Sequence, residues 1–524
     1  MKSNSGLNDQ VDHGVDVQPA GSSPSIVGRA LLALGLMVGF YALAVVVAGG
    51  LLLIVYAEWQ ATHHVNGRLA LFCIIGAGVI LWSIVPRPDR FEAPGPKLEP
   101  ESQPELFKTI TDVSRSTGQE MPAEVYLILD VNAFVTQRGG FMGLGSKRVM
   151  GIGLALMQVL TVSQLKAVLA HEFGHFYAGD TKLGPWIYKT RGAIIRTVRN
   201  LSRHSSWMQA PFRWYGLMFL RVTHAVSRRQ EFVADELAAR TMGARSLIDG
   251  LKATHSGALA FDAYWGTEVA PVLNAGYRPP LANGFRHFMA ASHVAEIMSR
   301  SVDAELSEGK SDPYDTHPSL PERVAAVERL TTGMSEAGVP GEDPPARSLL
   351  RGIVELEKNL LMTLASDKAA VQALKPVTWE TAGEEIYLRR YEELVREQAR
   401  ALRGVTALSL PELAKDPKRL ASKLVRPGGG EFTADELREV PMLAANVLGA
   451  GLAVALHDAG WELHAPPGQT VSCVRDKMVI EPFNVVQELA SGSMDAEAWK
   501  RRCEEAGITE LELGDRATTI SHSV

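Results

Sequence analysis

Apolar and charged positions are strongly segregated along the chain. Residues 1–28 are rich in Ser, Gly, Asn and Asp and read as a flexible tail. From Ala30 to Ala57 no residue is charged, a run longer than the ~20 apolar residues that cross a bilayer as a helix. A second uncharged run, Leu69–Val85, follows the short loop Glu58–Arg68 and stops at Pro86-Arg87-Pro88. The two predict a transmembrane hairpin over 29–86, with a buried core helix as the alternative for the second run. Arg29, Arg87, Arg90 and Lys97 flank the outer ends, whereas the connecting loop holds only Arg68. The positive-inside rule then places both termini, and everything after residue 86, in the cytoplasm.

Beyond a Pro-rich linker at 86–104 the periodicity changes. Glu105–Gly118 has helical spacing, Glu124–Leu129 and Asn132–Gln137 read as strands, and Arg148–Gly153 reads as a returning strand after a glycine-rich turn at 139–147. That turn lacks the terminal Gly-Lys-Ser/Thr of a phosphate loop, so a hairpin accounts for it better. Thr161–Tyr177 carries Leu165, Val168 and Leu169 at i, i+3, i+4, which predicts an amphipathic helix with Thr161 or Ser163 as N-cap. A second Pro/Gly/acidic linker, Gly338–Arg347, separates a unit at 87–337 from a C-terminal region at 348–524. In that region Glu384–Arg403 reads as charged helix, 428–430 as a glycine-rich break and Val471–Ile480 as strand. The predicted class is α+β, mainly helical, with a small β-sheet in the first unit and a separate α/β C-terminal region.

Composition narrows the function. Hydrophobic residues make up 46% and the net charge is −6, which excludes a mainly disordered chain and argues against nucleic acid as a partner. Three cysteines in this length exclude a disulfide framework and suit a reducing compartment.

The chemistry lies in His171-Glu172-Phe173-Gly174-His175, an H-E-x-x-H pattern on a predicted helix. Residues i and i+4 share a face, so two imidazoles can converge on one zinc ion, and the intervening Glu172 can accept a proton from a water that the metal activates. A catalytic zinc needs a third protein ligand. The metzincin extension is absent, because Ala178 and Thr181 stand where Gly and His are required. The next candidate is Glu231, with Asp235 one helical turn on: Glu231 can ligate the metal while Asp235 accepts an N–H from a ligand histidine. Phe232, Val233 and Ala234 between them favour a buried acid pair over a solvated face.

These motifs resemble the M48 family of membrane-associated zinc metallopeptidases, HtpX-like and Ste24-like. The transmembrane hairpin, Asn132-Ala133-Phe134, HEFGH at 171–175, EFVAD at 231–235, and His317-Pro318-Ser319 followed by Arg323 occur in the family order. The resemblance covers roughly residues 30–330. It implies a gluzincin-like peptidase domain and one Zn2+ per chain, held by His171, His175 and Glu231, with Glu172 as the base. It further implies that Asn132, Ala133 and Phe134 edge the substrate groove and that Arg323 and His317 sit near the site. His317 is placed to stabilise the oxyanion, a capping role before a helix being its alternative. The expected function is a membrane-anchored endopeptidase in membrane-protein quality control. It would be integral to a bacterial inner membrane, with its catalytic domain in the cytoplasm and proteins or peptides as substrates. The alternatives are a narrow CAAX-type processing protease and a non-catalytic membrane scaffold.

One segment departs from the family. Residues 181–230 hold ten Lys or Arg and no acid, and arginines interrupt both Trp186–Leu201 and Pro211–Val226. Charge at the bilayer centre is costly, so neither segment is expected to span. Aromatic and aliphatic residues interleaved with arginine predict helices lying on an anionic lipid surface, with a cationic lid over the catalytic helix as the equal alternative.

Overall fold

The two uncharged runs form the first two helices, α1 (Pro24–Thr62) and α2 (Gly67–Ile84). They come from a computed structural model that describes residues 24–85, 91–138, 146–177, 184–202, 206–309, 317–331, 343–421, 423–426, 432 and 436–514. Asn66 starts α2 by accepting hydrogen bonds from the backbone N–H groups of Arg68 and Leu69. Buried positions on α1 follow a helical stripe, Met37, Phe40, Ala44, Ala48 and Leu51, which packs on Cys73, Ala77 and Ile80 of α2. Most other apolar side chains of the pair face outward, Val46 at 69% and Trp82 at 67% exposure among them. Helices so apolar on their exposed faces fit a lipid surround better than water.

The next elements build the unit that carries the H-E-x-x-H helix. Strand β1 (Lys97–Leu98) leads to α3 (Pro104–Ser116), β2 (Glu124–Ile128), β3 (Ala133–Arg138) and β4 (Lys147–Gly153). The sheet order is β1-β2-β4-β3, with β2 parallel and β3 antiparallel to β4. β3 is therefore an edge strand. Most of the glycine turn expected at 139–147 lies outside the described residues. A short helix, α4 (Leu156–Val159), precedes α5 (Val162–Tyr177). Thr161 caps α5: its hydroxyl accepts from Gln164 N–H, and Gln164 Oε1 accepts from Thr161 N–H. α5 is more deeply enclosed than its amphipathic pattern suggests. Leu165, Ala167 to His171, Phe173 and Gly174 are all buried, between β3, α3 and later helices.

Two helices then return to the apolar pair. α6 (Gly184–Ser202) and the first half of α7 (Ser206–Met242) share one buried cluster with α1 and α2, through Ala193, Ile194, Leu201, Met208, Phe212 and Phe219. These residues of α6 and α7 thus share a core with α1 and α2. The second half of α7 runs beside α5, and α8 (Ala244–Tyr264) follows after Gly243 at φ +96°, a conformation that glycine adopts without strain. Short α9 (Ala270–Asn274), then α10 (Leu281–Ala290), α11 (Ser292–Glu308) and α12 (Leu320–Thr331) complete the region up to the second linker.

The core does not stop there. Ala346, Leu350, Leu360 of α13 (Ile353–Leu364), Trp379, Ala382 and Ile386 belong to the same cluster as Leu98, Met150 and Phe173. Polar contacts tie this stretch down as well: Gln103 exchanges two hydrogen bonds with the backbone of Arg351, and Glu357 accepts from Ala282 N–H at 2.7 Å. The sequence boundary at 337/348 thus falls inside one hydrophobic core. A second cluster begins at Leu388 and surrounds the helix Glu436–Asp458. The described residues of that helix are apolar enough to cross a bilayer, but its most apolar window is 67% buried within the protein, against 22% and 33% for α1 and α2. It is the central helix of the C-terminal unit. The strand segment 471–480 forms two strands, Ser472–Arg475 and Met478–Ile480, whereas 384–403 is a succession of short helical pieces. The glycine break at 428–430 lies outside the described residues.

Candidate metal centre

α5 and α7 supply the site, and a pair of small residues lets them approach. Gly174 faces Ala234: a Cβ on Gly174 would lie 2.7 Å from Ala234 Cα and 2.8 Å from Ala234 Cβ. This close approach sets Glu231 opposite the H-E-x-x-H face. His171 Nε2 is 3.3 Å from Glu231 Oε2 and His175 Nε2 is 3.7 Å from Glu231 Oε1, while the two rings meet edge to face at 4.9 Å between centroids. One ligand atom from each of His171, His175 and Glu231 lies within 4.8 Å of the others.

The chemistry of this set fits a zinc ion. Two imidazoles and a carboxylate form an established catalytic donor set, and Glu231 Oε2 is a buried acceptor that receives no hydrogen bond of good geometry. Around it, Asp235 Oδ1 is 2.9 Å from His171 Nδ1, which turns His171 Nε2 toward Glu231. Arg323, on α12, grips Asp235 with two donors, Nε to Oδ2 at 2.9 Å and a terminal nitrogen to Oδ1 at 2.7 Å. His317, just before α12, brings Nδ1 to 3.0 Å from Glu231 Oε1 and keeps a side chain that is 60% exposed. Asp235, Arg323 and His317 are thus gathered with the three ligand candidates.

Burial would raise the Glu231 carboxyl, but His171 and His317 beside it reverse that and hold it well below the usual carboxylate range. The same contest, won by Arg323 and His171, keeps Asp235 low. Burial pushes the Glu172 carboxyl up to about 7, against the pull of the His171 charge. It pushes His175 down to about 4, which favours the neutral ring that coordination requires. At His171 burial opposes protonation, yet the Asp235 and Glu231 carboxylates prevail and raise the ring to about 9.

The Asn132–Phe134 segment opens the edge strand β3. β3 packs alongside α5 at the sheet edge. Asn132 is exposed with its carbonyl accepting from Gly153 N–H at 2.8 Å, Ala133 is buried, and Phe134 lies against Gly151, where a Cβ would collide with its ring. Sequence reasoning missed Gly174 and Ala234. The available signal was a glycine and an alanine inside two motifs otherwise explained by their charged residues.

Replacing Asp235 with Asn keeps the shape but weakens the acceptor that orients His171. Zinc affinity is expected to fall ~10–100-fold, measured by competition with a chromogenic chelator.

Residues 100–331 match the model of peptidase family M48. "Protease HtpX" of Idiomarina loihiensis is 29% identical over 212 residues, covering 36% of this chain and 70% of that protein. "Protease HtpX" of Acinetobacter baylyi is 24% identical over 261 residues, 44% of this chain and 73% of that protein. "Protease HtpX homolog 1" of Streptomyces coelicolor is 24% identical over 343 residues, 60% of this chain and 95% of that protein. No solved structure matches the chain.

Proposed function

We propose, from the match of residues 100–331 to peptidase family M48 and the similarity to HtpX proteases, that the chain is a membrane-anchored zinc endopeptidase acting on proteins exposed at the cytoplasmic face of a bacterial inner membrane. Removal of damaged membrane proteins is the role that suits an anchored site of this kind. The observation that carries the reading is the convergence of His171, His175 and Glu231 beside the half-buried Glu172.

In this reading His171, His175 and Glu231 hold one zinc ion, which when bound polarises the scissile carbonyl and acidifies water. Glu172 takes the proton from the attacking water and passes it to the leaving amine, a task that suits a carboxyl raised by burial toward neutrality. The free edge of β3 at Asn132–Phe134 receives an extended peptide by main-chain pairing, which fixes the scissile bond with little demand on side-chain identity. His317 is exposed enough to reach substrate and donates to the oxyanion as charge develops there. Arg323 acts through Asp235 to hold His171 in register.

The test is stoichiometric metal analysis of the full-length protein in detergent, with casein cleavage followed in parallel. One zinc per chain and cleavage abolished by His175→Ala support the reading; a zinc-free wild type would overturn it. His317→Ala separates the two roles for that residue. An oxyanion donor predicts a loss of ~10²–10³-fold in kcat with KM little changed. A capping role predicts a lower melting temperature with kcat intact.

A further inference from the structure

The helix that carries His171 and His175 is fastened at its start by chain that lies beyond the residues matched to the peptidase family. We propose that Asp343 is a positioning residue for the metal centre. Together with the strap 343–346 it fixes how far along and around its axis α5 sits, and so where the two histidines meet Glu231. The inference rests on the metallopeptidase reading above and adds to it a role for residues outside 100–331.

The first turn of a helix leaves backbone N–H groups without partners inside the helix. In α5 the first three residues all find one. Gln164 N–H donates to the Thr161 hydroxyl, within the local cap. The other two are met from across the fold. Val162 N–H donates to Pro344 O at 2.8 Å, and Ser163 N–H donates to Asp343 Oδ1 at 3.0 Å, although Asp343 lies 180 residues away in the chain. Asp343 also brings a negative charge to the positive end of the helix dipole. Ala346 N–H donates to Leu160 O at 2.8 Å, so the strap and residues 160–162 are paired in both directions around the antiparallel bridge of Thr161 and Pro345.

The strap is itself held firmly. Ala346 is buried in the main core, and Arg351 is tied to Gln103 at the start of α3, a helix that packs on α5. Further on, Glu357 and Trp379 grip the start of α10, with Trp379 Nε1 donating to Pro280 O at 3.0 Å. This hold matters for the metal centre because of how α5 meets α7. The Gly174–Ala234 contact sets how near the two helices come, but neither residue has a side chain long enough to stop one helix sliding past the other. Each residue of a helix adds about 1.5 Å and about 100° of rotation. A slip of one residue would therefore turn His171 and His175 more than a quarter turn away from Glu231. Hydrogen bonds at 162 and 163 act on the first turn of the helix and oppose both the slide and the rotation.

Zinc affinity of the full-length protein in detergent, measured by chelator competition alongside the melting temperature, tests this. Asp343→Ala removes both the acceptor and the charge, and zinc binding is expected to weaken about three- to tenfold. Asp343→Asn keeps an oxygen in the same place, so affinity should return to within about twofold of wild type. Asp495→Ala is the matched control, because it removes a carboxylate that caps the helix Ala496–Ala506 through Ala498 N–H at 2.7 Å. That variant should lower the melting temperature and leave zinc affinity unchanged. Should Asp343→Ala not fold, Asp343→Gln, whose longer side chain displaces the acceptor, carries the same readout. Wild-type affinity in Asp343→Ala, an equal loss in Asp495→Ala, or no recovery in Asp343→Asn would overturn the positioning role and leave the peptidase reading standing. A zinc-free wild type would overturn both.

Discussion

Replacing Glu172 with Gln will lower casein hydrolysis by ~10²–10⁴-fold while zinc content stays at the wild-type level. The substitution keeps the volume and one carbonyl acceptor but removes the group that takes the proton from water. His171, His175 and Glu231 are untouched, and none of the hydrogen bonds within the ligand cluster involves Glu172. The loss should therefore fall on kcat and not on metal binding. Undiminished cleavage by the variant would refute the assignment of the base. The same residue sets a pH dependence. Glu172 acts as a base only when ionised, so activity should rise with pH through its pKa. Burial places that pKa at about 7, and a bound cation stabilises the carboxylate and moves it lower. The acid limb of kcat/KM is thus expected below pH ~7 and should be absent from the residual activity of Glu172→Gln.

Gly174→Val is expected to be the most damaging single change to the site as a structure. Ala234 Cα, which a Gly174 Cβ would meet at 2.7 Å, is backbone and cannot swing away. α5 and α7 must separate or shift along each other, and overpacking of this kind costs ~1–3 kcal/mol. The consequence for the metal is larger than for the fold, because the displaced helix is the one that carries Glu231. We expect a lower melting temperature, loss of stoichiometric zinc, and no rescue by Ala234→Gly, which removes a methyl but leaves the clashing Cα in place. Wild-type zinc content in Gly174→Val would show that helix separation does not govern the centre.

Much of the site was legible because its first part is local. His171 and His175 face the same way through the helical period alone, and Thr161 caps that helix through a hydroxyl three residues from Gln164. Strands β2, β3 and β4 and the apolar helices α1 and α2 were likewise visible in alternation and in uncharged runs. A Pro/Gly/acidic stretch reads as a linker wherever it occurs, yet Ala346 donates to Leu160 O and Val162 donates to Pro344 O, so its far end lies against the start of α5.

The amino-acid sequence by itself determined that His171 and His175 share a helical face with Glu172 between them, and it determined the two apolar helices, since each depends on spacing within one element. Only the tertiary structure decided that Glu231, Asp235, His317 and Arg323 meet that pair: the first two reach it from α7 across a contact set by Gly174 and Ala234, Arg323 from α12 and His317 from just before α12. It also decided where the basic segment goes. Arginines interrupting an apolar pattern oppose spanning, but their sequence positions do not fix which neighbour the apolar faces choose; here α6 and α7 bury them against α1 and α2.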